Sequence, residues 1–311
     1  MPSALITGVT GQDGWYLAHK LLDAGWVVHG IARRPREVPP GTVLHLADVT
    51  DAPAVHEVVS RTSPQAIFHL AAESFVAGAE APERVVEAHR RAAAVVLEAW
   101  QHHAPSARFV LASSSEVFGG SPESPQDAST PLCPITPYGR GKAEALDQLR
   151  ELRSRTGGHL SAAILYNHES ARRDPRFLGR KVSLGVAAIV AGKATELTLG
   201  DLEAQRDWGY APEYMTALVR MAAVEAPGDY VIGTGVAHSV RQFCEHAFAA
   251  AGLDYRAFVR TDEGLRRAAD PRCLLADPAP AARALGWQAS TPFPEMVARL
   301  VRADLTYVRG G

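Results

Sequence analysis

Cysteine is scarce in this chain, and the three residues present, Cys133, Cys244 and Cys273, stand too far apart to form a metal box. An odd, scattered set also makes a poor disulfide framework, so a reducing compartment and no metal site are expected. Long apolar runs are missing too: nothing approaches the roughly 18 to 20 residues that cross a bilayer. The first residues lead at once into a strand-like segment, without a basic start, an apolar stretch and a small-residue cleavage site. No export leader is therefore expected, and the cytoplasm is the expected location. Neither sign of charge is in excess, since 32 Lys and Arg against 34 Asp and Glu leave −2 over 311 residues. That balance argues against wholesale binding of nucleic acid or an anionic membrane, and leaves room for a local basic pocket. Internal repeats and low-complexity tracts are absent as well.

What is present is alternation. Short apolar runs at 4–7, 26–32, 43–47, 66–71, 108–113 and 160–166 read as buried strands. Between them, residues 14–24, 54–61, 82–102 and 137–156 carry apolar residues at helical spacing. Strand and helix in strict turn predict a doubly wound α/β fold, a parallel sheet with helices on both faces. After Tyr166 the pattern changes. Residues 167–207 are rich in Arg, Gly and polar side chains and read as a segment leaving the sheet, and 229–232 reads as a strand returning to it. The remainder, with Pro271, Pro278, Pro280, Pro292 and Pro294, reads as short helices and loops of a smaller lobe.

The first strand runs into Gly8-Val9-Thr10-Gly11-Gln12-Asp13-Gly14, which opens the first helix. Glycines there allow a tight turn and let the backbone approach a pyrophosphate at the helix N-terminus. The spacing is GxxGxxG, and a plain strand-to-helix turn is the alternative. Its place at the first strand–helix junction favours a dinucleotide site of Rossmann type. At the end of the second strand, where a carboxylate about 20 residues on would hold a ribose hydroxyl, the chain has Arg33, Arg34 and Arg36. Guanidinium groups attract a 2′-phosphate, so NADP is the expected cofactor. Asp48, after the third strand, is placed to meet the adenine, with helix capping by Asp48 or Thr50 as the alternative. The expected organisation is a cofactor unit of 1–166 plus about 208–240, interleaved with a substrate lobe of about 167–207 plus 241–311.

Tyr138 and Lys142 stand four apart, on one face of a helix. A nearby ammonium favours a phenolate, which would make Tyr138 a base near neutral pH. Tyr16 and Lys20 share the spacing but lack a polar constellation upstream, and read as a chance match. Ser113-Ser114-Ser115-Glu116 precedes Tyr138 at the C-terminal end of a predicted strand, the edge where ligands bind. A serine hydroxyl there would hold a substrate oxygen, and Glu116 supplies the carboxylate needed to take a carbon-bound proton next to a carbonyl.

These stretches, with 167–173 (Asn167-His168-Glu169-Ser170-Ala171-Arg172-Arg173) and 206–209 (Arg206-Asp207-Trp208-Gly209), resemble the GDP-mannose 4,6-dehydratases, a family of extended short-chain dehydrogenase/reductases acting on nucleotide sugars. The resemblance runs over most of the chain. It implies a lyase in which Tyr138, Ser114, Glu116 and Lys142 carry out the chemistry, with NADP reduced and reoxidised in each turnover. It implies cofactor contacts from Gly8, Thr10, Gly11, Gln12, Asp13 and Gly14, from Arg33, Arg34, Asp48 and Val49, from Leu70, Ala71, Ala72 and Ser74, and from His168 and Arg173, with Lys142 holding the nicotinamide ribose and lowering the Tyr138 pKa. For the nucleotide sugar, GDP-mannose above all, it implies Ser74, Ser115, Glu116, Asn167, Arg180, Lys181, Arg206, Arg267 and Asp270.

There are departures. The segment between Arg34 and Asp48 is shorter than the family's, which bears on tetramer formation; a homodimer is the assembly expected. Phe75 follows Ser74 in place of His, Asp270 stands in place of Glu, and the helix around 88–94 lacks the family's polar pattern. A nucleotide-sugar 4-reductase, an epimerase, a decarboxylase, or a non-catalytic NADP-binding regulator stay open at this point. Glu116 favours elimination among the enzymes, and the intact Tyr138, Lys142 and Glu116 disfavour the regulator.

Overall fold

The computed structural model describes residues 1–72, 82–265 and 273–310. Its first half consists of β1 (Ser3–Thr7), α1 (Gln12–Asp23), β2 (Val27–Ala32), β3 (Val43–Leu46), α2 (Ala52–Thr62), β4 (Ala66–His69), α3 (Pro82–His103), β5 (Arg108–Ser114), α4 (Pro137–Thr156) and β6 (Leu160–Leu165). Next come β7 (Asn167–Glu169), α5 (Leu178–Val190), β8 (Leu197–Leu199), β9 (Gln205–Tyr210), α6 (Ala211–Ala223) and β10 (Asp229–Ile232). The chain closes with β11 (Ala237–Ser239), α7 (Val240–Ala249), α8 (Tyr255–Phe258), β12 (Val259–Thr261), β13 (Cys273–Leu274), α9 (Ala279–Leu285) and α10 (Phe293–Gly310).

Seven strands form one parallel sheet in the order β10-β6-β5-β4-β1-β2-β3. Alternate side chains explain why both faces are covered. Leu5, Ile67 and Phe109 enter one core with Val59, Val96 and Leu146 of α2, α3 and α4. Their neighbours Ala4, Ile6, Phe68 and Val110 enter the other, with Leu17 of α1 and Leu218 of α6. The sheet is therefore dry on both sides, as its continuous apolar runs require. Strand order reverses between β1 and β4, and the crevice at that reversal is where such sheets take ligands.

A third core joins α5, β9, α7 and α10 through Val186, Trp208, Phe243, Phe248, Phe293 and Met296. Here β9 pairs with β7, β11 and β13 in a small separate sheet. The boundary expected near 208 falls inside β9, and β11, expected on the cofactor side, pairs with β9. The end of the chain also differs from the short helices expected, since α10 runs for 18 residues. Pro292 and Pro294 sit at its start, where a missing N–H costs no helical hydrogen bond. Likewise α1 begins at Gln12, two residues earlier than its apolar periodicity suggests, with Gly11 as its N-cap. Among the described residues, no helix is long and apolar enough to cross a membrane.

Candidate active site

A cavity of about 700 Å³ opens where the C-terminal ends of β1, β2, β4, β5 and β6 meet. One end is made of backbone. Gly8 has φ +74°, and a Cβ on it would lie 2.9 Å from the Ala71 backbone. A Cβ on Gly14 would lie 2.4 Å from the Gly8 carbonyl oxygen, so only glycine lets α1 start this close to β1. No side chain caps α1 at Gly11, and the first N–H groups of the helix are left to the cavity. This cradle has the shape and polarity that a dinucleotide pyrophosphate needs.

Around it, Thr10, Gln12, Asp13, Asp48, Val49, Leu70, Ala71 and Ala72 line the cavity as expected, and so does the exposed Arg33. Arg34 is exposed but does not line the cavity. Asp48 does not cap α2: it accepts from the backbone N–H of Thr50 at 2.9 Å and its hydroxyl at 2.8 Å, and the N-cap is Asp51.

Below the cradle lies a buried polar cluster. His168 donates through Nε2 to Asp13 at 3.0 Å and through Nδ1 to the Tyr166 carbonyl at 2.7 Å. Both partners only accept, which calls for the doubly protonated ring. Burial opposes that charge, but the Asp13 carboxylate outweighs it and raises the His168 pKa. In return, and again against burial, His168 and then Arg173 bring Asp13 down to about 2. Gln12 ties the cluster to α1, donating to the His168 carbonyl at 3.1 Å and accepting from the Ser170 hydroxyl at 2.7 Å.

The wall opposite carries the reactive groups. Ser114, at the end of β5, caps a short turn over Ser115–Phe118, accepting from the Glu116 N–H at 3.3 Å. Thr136 caps α4, accepting from the Gly139 N–H at 2.9 Å while its hydroxyl donates to Glu116 Oε2 at 2.5 Å. One threonine thus sets both the start of α4 and the direction of the Glu116 carboxylate. Tyr138 follows in the first turn of α4, its phenol hydrogen-bonded with Ser114 and its ring edge-on to His89 with centroids 5.3 Å apart. Lys142 lies one turn on, 5.9 Å from the Tyr138 ring centre, and donates to the Ala112 carbonyl at 2.7 Å. Ser114, Ser115, Glu116, Thr136, Tyr138 and Lys142 all line the cavity.

The electrostatics correct one expectation. Burial and then the Glu116 carboxylate raise the Tyr138 pKa above its ordinary value, and Lys142 does not offset them. Burial also pushes the Lys142 ammonium down to about 8, which limits what it lends the phenol.

Of the expected substrate contacts, Asn167 and Arg206 line the cavity, along with Arg173. Arg180 does not: it is paired with the fully buried Asp304 of α10 at 2.6 Å. Lys181 does not either, since its ammonium donates to the Thr198 carbonyl at 2.9 Å. Both charges are used inside the fold, tying α5 to α10 and to β8. Ser74, Arg267 and Asp270 lie outside the described residues. The sequence reading missed Thr136, Glu169 and His89 as cavity residues. A threonine followed by Pro137 at a helix start was the available signal for the first.

Comparison with known proteins agrees with this geometry. A sequence model of the family described as GDP-mannose 4,6 dehydratase matches residues 5–300. A GDP-mannose 4,6-dehydratase from Sinorhizobium fredii is 38% identical, with 99% of this chain and 97% of that protein covered. One from Vibrio cholerae is 35% identical over 97% of this chain and 93% of its own length. Among solved structures, UDP-glucose 4-epimerase from Thermotoga maritima superposes with a TM-score of 0.88 at 22% identity, covering 98% of this chain and 99% of that one. The dTDP-glucose 4,6-dehydratase of Bacillus anthracis in complex with NAD gives 0.84 at 18% identity, covering 97% and 96%. These two share the fold; the sequence matches go further, and the chain belongs to the GDP-mannose 4,6-dehydratase family.

Proposed function

We propose that this chain is a hydro-lyase that converts GDP-mannose to GDP-4-keto-6-deoxymannose, with NADP as its resident cofactor. The observation that carries the reading is the convergence of the Tyr138 phenol and the Glu116 carboxylate on a single cavity beside a dinucleotide cradle. The Sinorhizobium fredii relative is a GDP-mannose 4,6-dehydratase, and the dTDP-glucose 4,6-dehydratase that shares the fold holds NAD. The choice of NADP rests on Arg33, a guanidinium lining the cavity at the end of β2.

The roles follow from position. The α1 N-terminus with Gly8, Gly11 and Gly14 would hold the pyrophosphate, and Lys142 and the Asp13–His168 pair, which line the same cavity, would help to hold the rest of the cofactor. When bound, the nicotinamide supplies a hydride acceptor that returns what it takes. Tyr138, held by Ser114, would take the proton of the sugar C4 hydroxyl as C4 becomes a ketone, its phenolate being favoured in the loaded site by the positive charge of the oxidised nicotinamide. The ketone acidifies C5–H, and Glu116, steadied by Thr136, removes that proton. The proton gained by Glu116 leaves with the C6 hydroxyl as water, C6 would regain the hydride that left C4, C5 is protonated from solvent, and Tyr138 gives up its proton to solvent. The cofactor unit of 1–166 plus about 208–240 would then supply the chemistry, and the rest of the chain the nucleotide-sugar contacts.

The test is incubation with GDP-mannose in D₂O, followed by mass spectrometry and NMR. Loss of one water, deuterium at C5 and no net NADPH are expected. Glu116→Gln should keep cofactor binding and lose C5 exchange; normal turnover by that variant would remove Glu116 from the role. Unchanged GDP-mannose with cofactor-loaded protein would overturn the choice of substrate.

A further inference from the structure

Glu169 ends β7 with its side chain 2% exposed, yet it lines the cavity. Its carboxylate packs on α5, where a Cβ on Gly179 would fall 2.7 Å from the carboxyl carbon. The N-cap of that helix, Phe177, offers no side-chain hydrogen bond. The carboxylate therefore rests against the positive end of α5. On its other side lies Arg173, with Nε 3.8 Å from Glu169 Oε2. Neither atom has a hydrogen-bond partner among the described residues, although both are buried. The Arg173 guanidinium is stacked on the Phe177 ring at 3.7 Å and also lines the cavity. Its Nε edge thus faces Glu169 and one face lies on Phe177, while among the described residues no hydrogen bond holds the terminal amino groups.

We propose that Glu169 is a positioning residue that holds Arg173 turned toward a diphosphate in this cavity. The inference rests on the proposed function for the presence of a diphosphate ligand, which comes either from the dinucleotide or from the nucleotide sugar. A guanidinium recognises diphosphate oxygens through two parallel N–H donors, so its orientation matters as much as its charge. Glu169 fixes the plane from the Nε edge, and Phe177 fixes it from the face. The surrounding charges fit this division: Arg173 also acts on Asp13, but Asp13 is hydrogen-bonded to His168 at 3.0 Å, and Glu169 is the carboxylate that lies beside the Nε edge. Burial raises the Glu169 pKa, and Arg173 is the largest influence opposing that rise.

The test is calorimetric titration of NADP and of GDP into the full-length wild type, Glu169→Gln, Arg173→Gln and the double variant. Arg173→Gln should weaken one of the two ligands by about a hundredfold, and Glu169→Gln should weaken the same ligand by about tenfold. Because Glu169 acts through Arg173, the double variant should lose about a hundredfold, not the thousandfold of independent effects. The ligand affected identifies the source of the diphosphate. Glu169→Asp, which keeps the charge and shortens the reach, should recover part of the loss. Multiplicative losses, an effect of Glu169→Gln on neither ligand, or no recovery by Asp would overturn the inference alone. A wild type that bound neither ligand would overturn it together with the proposed function.

Discussion

Two helices in this molecule, α1 and α4, carry the same tyrosine and lysine at the same four-residue spacing, and only one of them is built to react. Both start at the C-terminal edge of the sheet. At that edge α1 presents bare backbone, with a glycine N-cap and no capping side chain. The edge of α4 presents side chains: Thr136 caps it, Tyr138 lies in its first turn, and Ser114 and Glu116 lie in hydrogen-bond contact with them. Tyr16, a turn further into its helix, lies outside the cavity lining, as does Lys20. On the proposed function, the first helix end binds and the second transforms. Spacing alone does not tell them apart; distance from the helix start does.

Paired substitutions test that division most strongly at the tyrosines themselves. Tyr138→Phe removes the proton acceptor and should lower kcat by about 1,000-fold, measured with saturating cofactor. Tyr16→Phe should change kcat by about twofold or less; comparable losses from both would erase the contrast.

The next largest effect concerns stability. Lys142 sits near 8 in the fold against its ordinary 10.5. Between those values the unfolded chain holds a proton that the folded chain lacks, so the contribution of Lys142 to stability rises with pH. Relative to Lys142→Met, the wild type should gain about 3 kcal/mol across that window in denaturant titrations. A constant difference would mean that the ammonium is not desolvated.

At α1, a methyl group at position 14 must displace backbone 2.4 Å away. Gly14→Ala should cost about 2 kcal/mol of stability and lose measurable NADP binding, while GDP still binds. A smaller effect sharpens the picture at α4. Thr136→Val deprives Glu116 of its 2.5 Å donor and should lower kcat by about tenfold, leaving cofactor affinity unchanged. If cofactor binding fell instead, the threonine would belong to the binding end.

The parts legible in the sequence were those written in local pattern. The span of α4 was read to the residue from its apolar spacing, and the glycine cradle from three glycines after the first strand. Long-range partners were not legible. Nothing in the sequence near Arg180 or Lys181 indicates that one meets Asp304, more than a hundred residues later, or that the other meets a β8 carbonyl. A surface cation and a buried one look alike until the fold places their acceptors. Glu169 was passed over for the same reason: within its motif it reads as one polar residue among several, and its weight comes from the packing of α5 against it. The Tyr138 pKa was misread because spacing reports which charges are near but not how much water has been removed.

The pairing of Arg180 and Ser183 with Asp304 gives the end of the chain a reach beyond its own packing. It fastens α5, whose start forms the wall behind Glu169, to the last helix, and both ends of that fastening are buried. Opening of α10 therefore breaks a buried ion pair and a buried hydrogen bond together, so the two helices should come loose as a single cooperative unit. Amide hydrogen exchange should show α5 and α10 with one shared protection level, separate from that of the seven-stranded sheet. Damage at the C-terminus would then register as a weakened hold on whichever diphosphate Arg173 takes.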